Sequence, residues 1–235
     1  FDSNGTALWQ KCYGGSGNDE ALSFMKTDPN NTGGDNIFVG DTYSNDGDVS
    51  GNHGDRDIWV VAVSISGAIT HKKCFGGLSE DFGLAMILNK NMDTAILVGA
   101  TLSTDGDMSG LHNNSRDAWV AALDGQMNIR WQKSLGRDGY DIGFSAAEYS
   151  GGYMIVALSD PISNGANDDF GIFNLSYSGD LIWEKYIGGT GDDHPSLAPV
   201  IFQNTLIVAG TTWSNDGDIQ GTRQGVCDGW FVELK

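Results

Sequence analysis

Three acidic turns in the chain carry the residue types of a cation site. Each has the pattern Ser-x-Asp-Gly-Asp-x-x-Gly, and the three copies span residues 44–51, 103–110 and 214–221. Oxygen side chains at alternate positions and a glycine at the sixth match the opening half of a calcium loop, which curls around one ion. A further aspartate follows six or seven residues after each turn, at the start of an apolar segment. The spacing therefore predicts a Ca²⁺ site on each turn.

The predicted ligands of each site are the two turn aspartates, the residue two positions later and the aspartate that opens the apolar segment. Ca²⁺ takes six to eight oxygens at about 2.3–2.6 Å, so water and backbone carbonyls near Asn52, Leu111 and Thr222 are expected to complete the shells. Mg²⁺ is a poorer match, because it needs a tighter octahedron than a long loop provides. The twelve ligand positions are Asp46, Asp48, Ser50, Asp57, Asp105, Asp107, Ser109, Asp117, Asp216, Asp218, Gln220 and Asp228.

The alternative for these turns is purely structural. Asn, Asp and Gly favour tight turns because their side chains and backbones form local hydrogen bonds without any ion. The corresponding segment of the third unit, residues 163–169, reads Ser-Asn-Gly-Ala-Asn-Asp-Asp and lacks the Asp-Gly-Asp core. We therefore expect up to three Ca²⁺ ions in the protein and none in the third unit.

A second set of aspartates follows four glycine-containing loops of the type Tyr-Gly-Gly-Ser-Gly-Asn-Asp. We expect these carboxylates to cap backbone amides of the loops, which is a common role of aspartate in turns. The alternative is a ring of carboxylates that binds a cation in a central channel. The four residues are Asp19, Asp81, Asp141 and Asp193.

Both sets of aspartates recur at intervals of about 50 to 60 residues, which divides the chain into four units. In the first unit we predict strands at residues 21–26, 36–42, 57–64 and 68–75. Apolar runs such as residues 37–40 are typical of strands buried on both faces. No unit contains an amphipathic helical stretch of useful length.

Four-stranded units of this length without helices are typical of β-propeller blades. We predict an all-β, four-bladed β-propeller in a single domain over residues 1–235, with blades at about 18–75, 80–135, 140–187 and 192–235. Residues 6–13 have the pattern of a fourth strand alone, and the chain ends on a third strand. The N-terminal strand is therefore expected to complete the C-terminal blade and close the ring. An open fragment of a larger propeller is the alternative.

Three cysteines permit one disulfide bond and one free thiol. The expected hairpin register places Cys74 opposite Ile58 and puts the equivalent Cys12 one diagonal step from Cys227. A Cys12–Cys227 bridge would seal the ring if the two Cα atoms lie within about 7 Å. Three reduced, buried cysteines are the alternative.

The histidines carry weaker signals. His53 and His112 occupy matching places after the acidic turns, and we interpret them as solvated loop residues rather than zinc ligands, because no third partner recurs. His71 stands where the other units have tryptophan at positions 9, 131 and 183. We interpret it as a substitution on a surface strand.

Charge and motifs restrict the function classes. The net charge of −18 disfavours binding to nucleic acid or to an anionic membrane surface. No apolar run approaches the ~20 residues of a membrane-spanning helix, and no G-x-S-x-G, H-E-x-x-H or phosphate-loop motif occurs. We predict a protein that is not an enzyme, since repeated carboxylates favour a structural role over one unique catalytic pair.

The units resemble repeats of secreted and cell-surface β-propeller proteins of Bacteroidetes. The resemblance rests on the Trp-Gln-Lys-Cys-Tyr-Gly-Gly-Ser-Gly-Asn-Asp segment of residues 9–19 and the Ser-Asn-Asp-Gly-Asp-Val-Ser-Gly turn of residues 44–51. It covers nearly the whole chain and is weakest at residues 138–175. It implies an exported propeller, often fused to a type IX secretion sorting domain, and it implies no established activity.

These observations predict a calcium-binding propeller that works outside the cell as a binding or assembly module for a protein or glycan ligand. The chain begins with Phe rather than Met, so we expect a form processed by removal of a signal peptide. One alternative function is a lectin or glycan-active enzyme, whose tryptophans would stack on sugar rings. Another is a structural subunit of a secretion complex, surface layer or filament. The oligomeric state is left open.

Overall fold

Four antiparallel sheets make up the described part of the protein. The structure is a computed structural model, and it describes residues 4–27, 34–112, 115–161, 167–196, 199–203 and 205–234. The strands of the first sheet are β1 (Asp19–Lys26), β2 (Asn36–Thr42), β3 (Asp57–Val63) and β4 (Ile69–Phe75), and those of the second are β5 (Asp81–Leu88), β6 (Ala95–Thr101), β7 (Asp117–Leu123) and β8 (Ile129–Leu135). The all-β prediction with four-stranded units is confirmed.

The third and fourth sheets continue the series. The third contains β9 (Asp141–Tyr149), β10 (Gly152–Ser159), β11 (Asp169–Ser176) and β12 (Leu181–Ile187), and the fourth contains β13 (Asp193–Pro195), β14 (Val200–Phe202), β15 (Thr205–Thr212) and β16 (Asp228–Leu234). The first three sheets run in chain order from their first to their fourth strand. In the fourth, β13 and β14 both pair with β15 on one side and β16 pairs with it on the other. The described residues include no helix long and apolar enough to cross a membrane.

The hydrophobic core lies between successive sheets. The middle strands β3, β7 and β10 are buried along their whole lengths, because both of their faces are covered. Neighbouring sheets cover β7 and β10, whereas β3 packs on the second sheet with one face and near Tyr13 of the N-terminal segment with the other. One cluster joins Val60 of the first sheet to Trp119 of the second, another joins Val98 to Phe173 of the third, and a further one joins Phe170 to Val208 of the fourth. The four sheets therefore pack face to face in sequence order.

A bulge changes the predicted register of the first hairpin. Val63 does face Ile69, but the register shifts between Ala62 and Val63, so Cys74 lies opposite Trp59 rather than opposite Ile58. The prediction was wrong by one residue because the extra residue of a bulge is not visible as a break in the apolar pattern. The same shift applied to Cys12 moves it away from Cys227. All three cysteines are free thiols in the structure, with Cys74 buried and Cys12 and Cys227 exposed.

The N-terminal segment lies against the first sheet. Residues 6–13 form no strand there, and among the described strands β16 pairs with β15. The Trp9 indole Nε1 donates to the carbonyl of Ile65 at 2.8 Å, and the Lys11 Nζ donates to the carbonyl of Gly67 at 2.8 Å. The segment thus covers the outer face of the β3–β4 hairpin.

Candidate functional site

The central glycine of each acidic turn fixes the shape of the turn. Gly47, Gly106 and Gly217 have φ values of 61°, 64° and 65°, a region that residues with a Cβ rarely adopt. A Cβ on Gly106 would also lie 2.2 Å from the carbonyl oxygen of Gly76. The turn therefore presses directly on the glycine loop that precedes the first strand of the same sheet.

The first aspartate of each turn binds that glycine loop. Its Oδ1 accepts a backbone N–H from the loop at 2.7–2.9 Å in all three turns, a charge-assisted contact that is stronger than a neutral hydrogen bond. The donor and acceptor pairs are Ser16 to Asp46, Leu78 to Asp105 and Thr190 to Asp216. The pKa of Asp46 is lowered mainly because the Ser16 amide stabilises its carboxylate.

The second aspartate bonds the loop through its backbone. Its N–H donates to the carbonyl of the first loop glycine at 2.8–2.9 Å, as Asp48 to Gly14, Asp107 to Gly76 and Asp218 to Gly188. Outer-strand side chains hold the turn from the other side. The Lys72 Nζ donates to the Asp48 carbonyl at 2.7 Å, and the Gln132 Nε2 donates to the Asp107 carbonyl at 2.9 Å.

The second loop glycine leaves room for the acidic turn. A Cβ on Gly15 would lie 2.3 Å from Asp46 Oδ1, and a Cβ on Gly77 would lie 2.3 Å from Asp105 Oδ1. The third sheet has Arg137 at this position. Its guanidinium donates to the Ser159 carbonyl at 2.8 Å and to Asp169 Oδ2 at 3.0 Å. The prediction of no ion in the third unit concerns residues 163–169, and positions 163–166 lie outside the described residues.

One aspartate stands at the start of each of β1, β5, β9 and β13. Its carboxylate accepts a hydrogen bond from the backbone N–H of the residue four positions earlier. The donors are Gly15, Gly77, Arg137 and Gly189, at 2.8–2.9 Å from Asp19, Asp81, Asp141 and Asp193. The turn serines 44, 103 and 214 donate to three of the same carboxylates at 2.7–3.0 Å. Burial raises the pKa of Asp81, and it raises the pKa of Asp141 to about 7. These carboxylates join the loop, the turn and the first strand.

The aspartates that open β3 and β7 each pair with a histidine of the preceding loop. Asp57 Oδ2 accepts hydrogen bonds from the backbone N and the Nδ1 of His53, each at 2.8 Å. In the second sheet, Asp117 Oδ2 lies 2.8 Å from the backbone N of His112 and 2.6 Å from its Nδ1. Oδ1 of each aspartate is buried without a hydrogen-bond donor. Burial accordingly raises the pKa of both carboxyls. In the fourth sheet, Asp228 Oδ2 accepts the amide of Gln224 at 2.7 Å.

The two histidines thus have a role that the sequence interpretation missed. They are partly exposed, yet each pairs with a fully buried carboxylate. Their matching positions, four and five residues before an aspartate, were the available signal. Sequence reasoning treated each histidine as a zinc candidate and therefore sought a third metal ligand instead of one acidic partner.

The remaining predicted ligands lie near the outer strands. The Ser109 carbonyl accepts a hydrogen bond from the hydroxyl of Ser134 at 3.1 Å, and the backbone of Ser50 forms a hydrogen bond with Cys74. Gln220 is exposed. No group of three or more His, Cys, Asp or Glu side chains has metal-site spacing within the described ranges. Both aspartates of each turn contact the glycine loop, and the aspartate that opens the next strand accepts an amide of the segment just before that strand. The amide contacts use Oδ1 of Asp46 and Oδ2 of Asp48.

The comparisons with known proteins assign neither a family nor a function to the chain. No protein-family model matches the chain, and no curated protein matches its sequence. The function is therefore inferred from the geometry that the loops and turns share.

Proposed function

We propose that this chain is a non-catalytic β-propeller that works outside the cell as a rigid binding or assembly module. One observation carries the proposal: the same contact between carboxylates and loop amides recurs in the first, second and fourth sheets. A catalytic site is usually a single group of residues that breaks the symmetry of the repeats. Three equivalent contacts between turn and loop instead make the same part of each unit rigid. The series of four face-to-face sheets supports the propeller as its scaffold.

The ring is closed, in this proposal, by residues 6–13 as the outer strand of the fourth blade. The contacts of this segment match those of a true outer strand. Trp9 Nε1 donates to the Ile65 carbonyl, and in the same way Trp131 Nε1 of the outer strand β8 donates to the Tyr177 carbonyl at 3.0 Å. Lys11 Nζ donates to the Gly67 carbonyl, and in the same way Lys73 Nζ of the outer strand β4 donates to the Met127 carbonyl at 3.1 Å. Residues 6–13 thus lie beside the first sheet as β4 lies beside the second.

Closure can be tested with a pair of cysteines. Lys72 pairs with Val61 across the β3–β4 ladder, and the repeat-equivalent pair is Gln10 and Val232. The variant Gln10→Cys/Val232→Cys, with the native cysteines changed to serine, should form an intramolecular disulfide under mild oxidation. The matched control Gln10→Cys/Phe231→Cys places the second thiol on the opposite face of β16 and should not. Equal cross-linking of both variants, or none in the first, would contradict closure, and a disulfide-linked dimer would show that a second copy supplies the strand.

Ca²⁺ is the proposed ion of the three acidic turns. Both aspartates of a turn contact the same glycine loop, and the amide contacts at Asp46 and Asp48 engage one oxygen of each. A divalent cation would use the remaining carboxylate oxygens, and turn carbonyls and water would complete its shell. Asp57 and Asp117 bind histidine through Oδ2, and their Oδ1 atoms have no hydrogen-bond donor, so each keeps one oxygen that can bind an ion.

Calorimetric melting with Ca²⁺ and with a chelator tests the ion. An ion held only by the folded state must raise the melting temperature. Asp107→Asn should lower the bound Ca²⁺ by one ion per chain, while Asp55→Asn, the same charge change at an exposed loop position, should leave the number unchanged. Identical melting curves with and without Ca²⁺ would refute the calcium proposal and leave the turns as structural clips.

A further inference from the structure

A cavity of about 440 Å³ lies between the first and second sheets. Its walls come from β1 to β7 and from the turns at residues 92–94 and 124–127, so it opens on the side of the β3–β4 and β7–β8 hairpins. Volumes of 300–1,000 Å³ are typical of small-molecule sites. The cavity lies apart from the acidic turns.

Two other joints show which group fills the equivalent position, one between the N-terminal segment and the first sheet and one between the second and third sheets. A tryptophan of an outer segment packs on the glycine of the next hairpin: Trp9 atoms lie 3.0 Å from a Cβ built on Gly67, and Trp131 atoms lie 2.5 Å from one built on Gly179. Each indole N–H donates to the carbonyl two residues before that glycine, at Ile65 and Tyr177. An indole on a hairpin glycine is thus a repeated joint between neighbouring units.

The interface between the first and second sheets breaks this repeat at both partners. His71 replaces the tryptophan of β4, and Met127 replaces the hairpin glycine while keeping its left-handed backbone, with φ of 60° against 72° at Gly67. The hairpin hydrogen bonds are the same, since Met127 N donates to Asp124 O as Gly67 N donates to Ser64 O. His71, Met127 and Gly125, the equivalent of Ile65, all line the cavity. The space therefore coincides with the place of the missing indole.

The lining suits a flat aromatic group. Met25, Met86 and Met127 pack in one cluster along the wall, and thioethers make favourable contacts with aromatic rings. The hairpin places the Gly125 carbonyl where the equivalent carbonyls of Ile65 and Tyr177 accept an indole N–H.

The rim of the cavity is acidic, with basic groups beside it. Asp35, Asp93 and Asp124 line the cavity, and hydrogen bonds from Asn89 and from Asn128 lower the pKa of Asp93 and of Asp124. The cations that face this rim are Arg130, which donates to Thr94 at 2.7 Å, and Lys73, which donates to Met127; His71 is also part of the lining. Three carboxylates against two fixed cations favour a neutral or cationic ligand over an anionic one.

We propose that this cavity binds an indole-type aromatic ligand, with the ring against the methionine wall and its N–H on the Gly125 carbonyl. The ligand takes the place that a tryptophan side chain of the protein occupies at the other joints. A neutral or amine-bearing indole fits the acidic rim, and a carboxylate-bearing indole does not.

Ligand-observed ¹⁹F NMR with 5-fluoroindole tests the proposal. We expect saturable 1:1 binding to the native protein with a dissociation constant below about 1 mM. Tryptamine should displace the probe at lower concentration than indole-3-acetate. The variant His71→Trp/Met127→Gly restores the repeated joint and fills the site, so it should bind the probe at least about tenfold more weakly, a difference of about 1.4 kcal/mol. His71→Trp alone gives the same readout if the double variant does not fold.

Met154→Leu is the matched control, because it makes a volume-conserving change at a buried methionine of the third sheet, outside this cavity, and should retain binding within about threefold. Absence of saturable binding to the native protein would overturn the proposal. Equal binding by the native and filled variants would also overturn it, because the probe would then be held elsewhere. Tighter displacement by indole-3-acetate than by tryptamine would overturn the assigned role of the acidic rim.

Discussion

Single residues decide whether a loop can receive an acidic turn. Gly15 and Gly77 stand within van der Waals range of the turn carboxylates, so neither has space for a side chain. Arg137 takes this position in the third sheet, and its guanidinium bonds Asp169 instead. An acidic turn therefore requires glycine at the second position of the loop. In the third sheet the positive charge of Arg137 pairs with the carboxylate of Asp169, which opens β11.

The glycine requirement can be measured at Gly77. Gly77→Ala should lower the free energy of unfolding by roughly 1–3 kcal/mol, because the new methyl group overlaps Asp105 Oδ1 and the loop must shift. Gly125→Ala is the control, since a Cβ there meets nothing within 4 Å. Denaturant unfolding of both variants checks this; equal stability losses would contradict the close approach.

Asp141 gives the protein a pH dependence of known sign. Burial raises its pKa from 3.8 to about 7 in the folded state, so its contribution to stability is complete below pH 4 and is lost as the pH rises through 7. The loss is at most about 4 kcal/mol. Asp141→Asn cannot ionise and should flatten this part of the stability curve from pH 4 to 8. A mutant curve parallel to that of the native protein would contradict the assignment.

At the scale of elements, the acidic turns of the first and second sheets each join three pieces of one unit. Each turn follows the second strand, contacts the loop before the first strand and is held by a side chain of the outer strand. The glycine loop would otherwise expose several unpaired amides. The turn therefore acts as a clip whose strength depends on hydrogen bonds from loop amides to the turn carboxylates.

Hydrogen exchange can show the clip directly. Asp105→Ala should raise the exchange rate of the Leu78 amide at least about tenfold, because that amide loses its acceptor at 2.9 Å. The equivalent Ser16 amide, bonded to Asp46 in the first sheet, is the internal control and should keep its rate. An unchanged Leu78 rate would mean that the carboxylate contact does not protect the loop.

The whole molecule is a series of sheets with two apolar outer faces. The first strand of the first sheet exposes 63% of Phe24, and the last strand of the fourth exposes 75% of Phe231. Closing the ring through residues 6–13 would cover apolar surface at both ends, since buried apolar area contributes about 25 cal/mol per Å². The N-terminal segment is therefore expected to stabilise the whole fold and not the first sheet alone.

Two tryptophans of similar exposure test this long-range role. Trp9 and Trp183 are 41% and 38% exposed, but Trp9 also packs on Gly67 and donates to Ile65. Trp9→Ala should lower the free energy of unfolding by about 1–2 kcal/mol more than Trp183→Ala does. Chemical denaturation followed by circular dichroism gives both values. A smaller effect at Trp9 would indicate that the N-terminal segment is not part of the cooperative structure.

Much of the first sheet could be read from the sequence. The predicted strand at residues 36–42 matches β2, and the predicted strands at 57–64 and 68–75 differ from β3 and β4 by one residue at one end. Apolar runs and glycine turns are local signals, so they survive without knowledge of the neighbours. The bulge beside Val63 depends on the pairing with the neighbouring strand, and no local pattern reveals it. The pairing of His53 with Asp57 is local in sequence, and its four-residue spacing was the signal that the zinc interpretation passed over.

The sequence by itself determined the four units, the all-β class and the acidic turns, because each depends on residues close together in the chain. Only the tertiary structure decided where the carboxylates point. Asp46 reaches a loop amide 30 residues away, whereas Asp57 turns to His53. Within one predicted ligand set, Asp46 thus contacts the glycine loop and Asp57 contacts a histidine. The cavity at His71 is likewise tertiary, because it exists only where a hairpin 54 residues further on meets that strand.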